Sequence, residues 1–87
     1  MTYRVTTSKH AARNLRALDP QVRRRVQAAI RQLATDSRPH GVMPVIGIPG
    51  TLRVRVGGYR VVYSLDDERR EVWVEAVRHR REVYRNL

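Results

Sequence analysis

The sequence predicts an α+β fold: an N-terminal strand, a helical hairpin, then an antiparallel sheet with a short C-terminal helix, the helical hairpin lying on one sheet face. Three observations predict it. Apolar residues recur at helical spacing between positions 11 and 33. They alternate with polar ones from 52 to 63 and again from 72 to 76, as in half-buried strands. Between the two halves of the first alternating run stands a Gly-Gly pair suited to a two-residue primed turn. No linker, repeat or low-complexity tract divides the chain, so residues 1–87 are expected to form a single domain.

Tyr3, Val5 and Thr7 alternate with Arg4 and Thr6 as a first strand, and Ser8 is placed to cap the helix that follows. Ala11, Ala12, Leu15 and Leu18 give that helix its apolar side. Asp19-Pro20 ends it and opens a second, with Asp19 as N-cap and Pro20 at the first helical position. Val22, Val26, Ala29, Ile30 and Leu33 then form an apolar stripe. The second helix also carries Arg23, Arg24, Arg25 and Arg31, read as a solvated outer face. Residues 35–50 hold three of the four prolines and read as loop, with Val45, Ile46 and Ile48 expected to tuck it onto the core.

The hairpin of residues 52–63 organises the rest. With Gly57 and Gly58 as the turn, Val56 faces Tyr59 and Arg55 stands directly across from Arg60. Arg53 shares their face, while Leu52, Val54, Val56, Tyr59, Val61 and Tyr63 take the other. Like charges directly opposite one another destabilise a sheet. A fold that accepts them has use for an anion there. The segment Asp66-Asp67-Glu68-Arg69-Arg70 is a charged turn, and a further strand follows with Val72, Val74 and Ala76 on the core side. Pairing Leu65 with Val72 sets Val77 across from Arg60, so that Arg78, His79, Arg80 and Arg81 emerge beside the arginines. Residues 82–87 complete a short helix that brings Arg80 and Tyr84 onto one face. Glu75 is expected to pair with Arg60, and His10 and His40 are read as surface residues.

A net charge of +10 on 87 residues implies a polyanionic partner. Of the 18 basic residues all but Lys9 are arginine, the better fork for phosphate. The chain has no cysteine, and so no disulfide or thiolate metal site. It shows no metal-ligand spacing, no phosphate-cradling glycine loop and no nucleophile motif. No apolar run approaches the roughly 18 residues of a membrane span. A cytoplasmic protein without cofactor, acting away from membranes, is the expectation.

Gly57-x-Tyr59-Arg60-Val61-x-Tyr63, followed by Val77-Arg-His-Arg-Arg-Glu-Val-Tyr84, closely resembles the RelE/ParE superfamily of bacterial toxins, and the likeness extends over essentially the whole chain. The resemblance implies the toxin of a type II toxin–antitoxin pair, held inactive by a cognate antitoxin and reaching operator DNA only through that complex. RelE-like members act on mRNA in the ribosomal A site, whereas ParE-like members poison DNA gyrase on the same fold. The basic and aromatic set of the RelE-like branch maps onto Arg53, Arg55, Arg60, Arg80 and Tyr84. It implies a metal-independent endoribonuclease, an mRNA interferase that inhibits translation. The alternatives are a gyrase inhibitor and a relic that only binds antitoxin. Arg60, Arg80, Tyr84 and His79 are the candidate catalytic residues; Arg53, Arg55, Arg78 and Arg81 are the candidate RNA contacts. His79 is the one histidine near the cluster and belongs to the residue type that titrates nearest neutral pH. Where the family often has lysine on the second strand this chain has Arg53 and Arg55, which can grip phosphate but do not act as bases.

Overall fold

A computed structural model describes residues 2–79. A five-stranded mixed sheet runs in the order β1-β5-β4-β3-β2, with β1 at Arg4–Thr7, β2 at Met43–Pro44, β3 at Thr51–Val56, β4 at Tyr59–Asp66 and β5 at Glu71–His79. Helices α1, Lys9–Arg16, and α2, Pro20–Gln32, pack on one face. The α+β architecture is therefore as the sequence predicts. Two strand features are additions: β1 pairs in parallel with β5, and the supposed loop contributes the edge strand β2, antiparallel to β3. The short C-terminal helix falls outside the described residues. Among the described residues no helix is long and apolar enough to cross a membrane.

Each helix begins where its sequence signal stands. The Ser8 hydroxyl accepts from the Ala11 N–H at 3.0 Å, satisfying one of the first-turn donors that a helix cannot pair internally. Asp19 caps α2 by position, with Pro20 at its start, but its side chain makes no capping hydrogen bond. Arg23 is not simply part of a solvated face. Its guanidinium donates to the carbonyls of Leu15 at 3.1 Å, Arg16 at 3.2 Å and Leu18 at 2.9 Å, closing the C-terminal end of α1. Arg24, Arg25 and Arg31 are exposed, as read.

The core lies between helices and sheet. Ala11, Leu15, Val26, Ile30 and Leu33 from the helices meet Val61, Tyr63, Val72, Val74 and Val77 from the two central strands. The expectation that Val45, Ile46 and Ile48 anchor the 35–50 loop is corrected: Ile46 is 97% exposed and Ile48 55%, while Val42 packs against the core instead. Hydrogen bonds from the Ile48 N–H to the Val45 carbonyl and from the Thr51 N–H to the Ile48 carbonyl form a local turn that projects outward.

At the end of the sheet formed by the β4–β5 turn, Asp67 joins three segments. It accepts from the Tyr3 hydroxyl at 2.6 Å and from both terminal nitrogens of Arg38, at 3.2 and 2.8 Å. The Arg38 and Tyr3 hydrogen bonds hold its carboxyl down at about 2. Nearby, the fully buried Tyr63 donates to the Ser37 carbonyl at 2.8 Å. Burial pushes its phenol up to about 12 from the ordinary 10.0. The folded state therefore favours the protonated phenol. Its contribution to stability is fully present below pH 10 and is lost as pH rises toward 12. Urea midpoints measured across that range are expected to fall more steeply for the wild type than for Tyr63→Phe; parallel curves would contradict the assignment.

Candidate functional site

The β3–β4 hairpin has the register its sequence predicts, with Val56 opposite Tyr59 and Arg55 opposite Arg60. Gly57 adopts φ +61° whereas Gly58 does not take a positive φ, the pattern of a II′ turn. Arg53, Arg55 and Arg60 accordingly stand on the sheet face away from the helices.

The β4–β5 register starts as expected, with Leu65 opposite Val72, and then departs from it. A bulge inserts Glu75 between Val74, opposite Tyr63, and Ala76, opposite Val62. Beyond it every residue of β5 is shifted by one, so Val77 pairs with Val61 and Arg78 pairs with Arg60. The expectations that Val77 faces Arg60 and that Ala76 belongs to the core side are thereby corrected: Val77 joins the core cluster and Ala76 turns to the other face. Between described residues the ion pairs are Arg38–Asp67 and Arg69–Asp66, and the expected Glu75–Arg60 pair is not among them.

The bulge also sorts the candidate residues by face. Arg55, Arg60 and Arg78 form one row across three adjacent strands. At the usual strand spacing their backbones span about 10 Å. Arg53 lies in the next row, between Met43 of β2 and Val62. His79 lies on the helix side, opposite Tyr59, against whose ring it packs edge-on with centroids 5.1 Å apart. The structure thus joins Arg78 to the arginines and separates His79 from them. Trp73, 47% exposed, sits farther along the arginine face beside Ser64. Arg80, Arg81 and Tyr84 lie outside the described residues.

Arg60 is only 4% exposed and forms part of the wall of a pocket of about 270 Å³ shared with Gly41, Met43, Arg53, Val54 and Arg55. A guanidinium held in such surroundings is attracted to an anion more strongly than one in open water, because less solvent screens it. Met43 and Gly41 belong to the stretch read as loop, so their place in the pocket was not visible from periodicity. The lining thus brings Arg53, Arg55 and Arg60 to one pocket between β3, β4 and the approach to β2.

The family model for the ParE toxin of the type II toxin–antitoxin system parDE matches residues 5–84. Toxin RelG of Mycobacterium tuberculosis is 33% identical over 86 residues, covering 98% of this chain and 99% of that protein. Among solved structures, the archaeal RelE–RelB complex from Pyrococcus horikoshii superposes with a TM-score of 0.81 at 27% identity, covering 92% of this chain and 97% of that one. The intact E. coli RelBE toxin–antitoxin complex gives 0.72 at 26% identity, covering 86% and 93%. With the match to the family model running through nearly the whole sheet and both helices, this chain belongs to the RelE/ParE superfamily of type II toxin–antitoxin toxins.

Proposed function

We propose that this toxin is an endoribonuclease that cuts mRNA engaged by the ribosome and so inhibits translation. The observation that carries the reading is the row Arg55–Arg60–Arg78, three guanidinium-bearing residues on neighbouring strands of the face that the helices leave uncovered. Cleavage of this kind requires no metal. The 2′-hydroxyl loses its proton and its oxygen bonds to the adjacent phosphorus, the bond to the 5′ oxygen breaks, and the leaving oxygen takes a proton. The products are a 2′,3′-cyclic phosphate and a 5′-hydroxyl. Negative charge accumulates on the phosphoryl oxygens in between, and preorganised cationic donors stabilise it. Arg60 and Arg78 take that role, with Arg55 and Arg53 holding the flanking backbone.

Arginine does not act as a proton acceptor, and His79 is on the other face. Proton transfer is therefore assigned to Tyr84 in the C-terminal segment, where the family pattern also places Arg80 on the scissile phosphate, with Arg81 as a further backbone contact. The relatives solved as RelE–RelB complexes support a cognate antitoxin as partner. An acidic chain that folds on binding would complement the +10 charge. Operator DNA is then reached through that complex, in the cytoplasm. The match to the ParE toxin model favours one second reading, inhibition of DNA gyrase.

Brief expression followed by mapping of mRNA ends, alongside a supercoiling assay with purified gyrase, separates the two. The proposal predicts growth arrest, codon-phased 5′-hydroxyl ends on translated messages and unaffected supercoiling. Intact mRNA with lost supercoiling would establish the gyrase reading, and no growth arrest at all would leave an antitoxin-binding relic.

A further inference from the structure

The bulge that brings Arg78 beside Arg60 is held from outside the sheet. β1 ends at Thr7, and the Ser8 N–H donates to the Val74 carbonyl at 2.9 Å before the chain turns into α1. From Glu75 onward β5 has no strand on that side among the described residues. Two backbone groups of the bulge are taken up by α1 and its cap: the Ser8 hydroxyl donates to the Glu75 carbonyl at 3.0 Å, and the Val77 N–H donates to Asn14 Oδ1 at 3.0 Å. One belongs to the inserted Glu75 itself and the other lies two residues beyond it.

Asn14 lies in the second half of α1, between the buried positions Ala11 and Leu15, and its residue type is a mediocre helix former because its amide competes for backbone partners. Here that tendency is directed at a neighbouring strand. A straight ladder would put Val77 on the arginine face and turn Arg78 toward the helices, since a one-residue slip exchanges the faces of every side chain beyond it. An acceptor aimed at the Val77 N–H favours the bulged arrangement over the straight one.

We propose that Asn14 is a positioning residue for the arginine row: by accepting the Val77 N–H it holds the bulged register that keeps Arg78 on the same face as Arg60 and Arg55. This rests on the reading that the row grips a backbone phosphate of RNA. Ser8 contributes to the same bulge but also caps α1, so Asn14 is the cleaner probe.

The test combines amide hydrogen exchange at Val77 with mRNA cleavage in a reconstituted translation reaction, for Asn14→Leu, Arg78→Ala and the double variant. Asn14→Leu is close to isosteric and has no acceptor; Asn14→Ala replaces it should the leucine variant fail to fold. Exchange at Val77 is expected to quicken at least about tenfold in Asn14→Leu and to return to near the wild-type rate in Asn14→Asp, which keeps a carboxylate oxygen as acceptor. Cleavage is expected to slow by on the order of tenfold or more in Arg78→Ala, the usual scale for losing a charged hydrogen bond. It should slow comparably in Asn14→Leu and no further in the double variant, the non-additivity of two residues acting through one. Additive losses, or an Asn14→Leu protein that cleaves like the wild type, would overturn the proposal. Wild-type cleavage by Arg78→Ala itself would instead remove the phosphate reading of the row, and the proposal with it, even if exchange at Val77 still reported that Asn14 holds the bulge.

Discussion

Replacing Arg60 with alanine is expected to lower mRNA cleavage by on the order of 10²-fold to 10³-fold, the usual scale for removing one donor to a developing oxyanion. Arg60 is the middle member of its row, paired with Arg55 on one side and Arg78 on the other, and it is the most enclosed of the three. Enclosure makes it both the best placed to stabilise charge and the hardest to replace by a neighbour. Arg60→Lys should recover part of the loss, because it restores the charge without the planar fork that meets two phosphate oxygens at once. Since a buried guanidinium also has structural roles, thermal unfolding of each variant must accompany the rates. Arg55, exposed on the same row, provides a second variant with little to lose in folding. Equal cleavage by wild type, Arg60→Ala and Arg55→Ala would leave the row without a catalytic role.

The second large effect is on stability. Leu33, 1% exposed at the end of α2, joins the helix stripe to Val61, Tyr63 and Val74 in the core cluster. Truncating such a leucine to alanine removes favourable burial and leaves a cavity, costing about 2–5 kcal/mol. In a domain whose total stability is on the order of 5–15 kcal/mol, that is a large share, and each kcal/mol lowers Tm by roughly 4–8 °C at this size. Ile46→Ala provides the contrast. Its side chain is 97% exposed, so its replacement is expected to change stability by less than about 0.5 kcal/mol. A Leu33→Ala protein as stable as Ile46→Ala would mean that the helix–sheet interface is not where the fold is held together.

Which parts of this molecule could be read from its sequence follows from how local their causes are. The β3–β4 hairpin was legible because alternation and the Gly57-Gly58 turn fix its register within a dozen residues, and Arg55 opposite Arg60 came with it. Both helices were legible from their caps and stripes. Strand β2 was not, being two residues long and containing Pro44. Nor was the parallel pairing of β1 with β5, since four alternating residues say nothing about which distant strand they join. The bulge at Glu75 was hidden twice over. Ala76 and Val77 are both apolar, so the pattern tolerates either as the core residue, and the groups that decide between them include Asn14, 63 positions away in sequence. That single shift is why Arg78 meets Arg60 and why His79, expected beside the arginines, lies against Tyr59 instead.

The central claim is that Arg60 and Arg78 act together on the scissile phosphate of the RNA while Arg55, in the same row, holds the adjoining backbone. It is tested most directly by following the guanidinium NMR signals of all three while a short RNA carrying 2′-deoxy sugars, and hence resistant to cleavage, is titrated into the protein. The account predicts that the three signals move in a single saturable step, at the same RNA concentration, and that the step weakens with added salt. Signals that stay in place, or that respond independently at different concentrations, would contradict it.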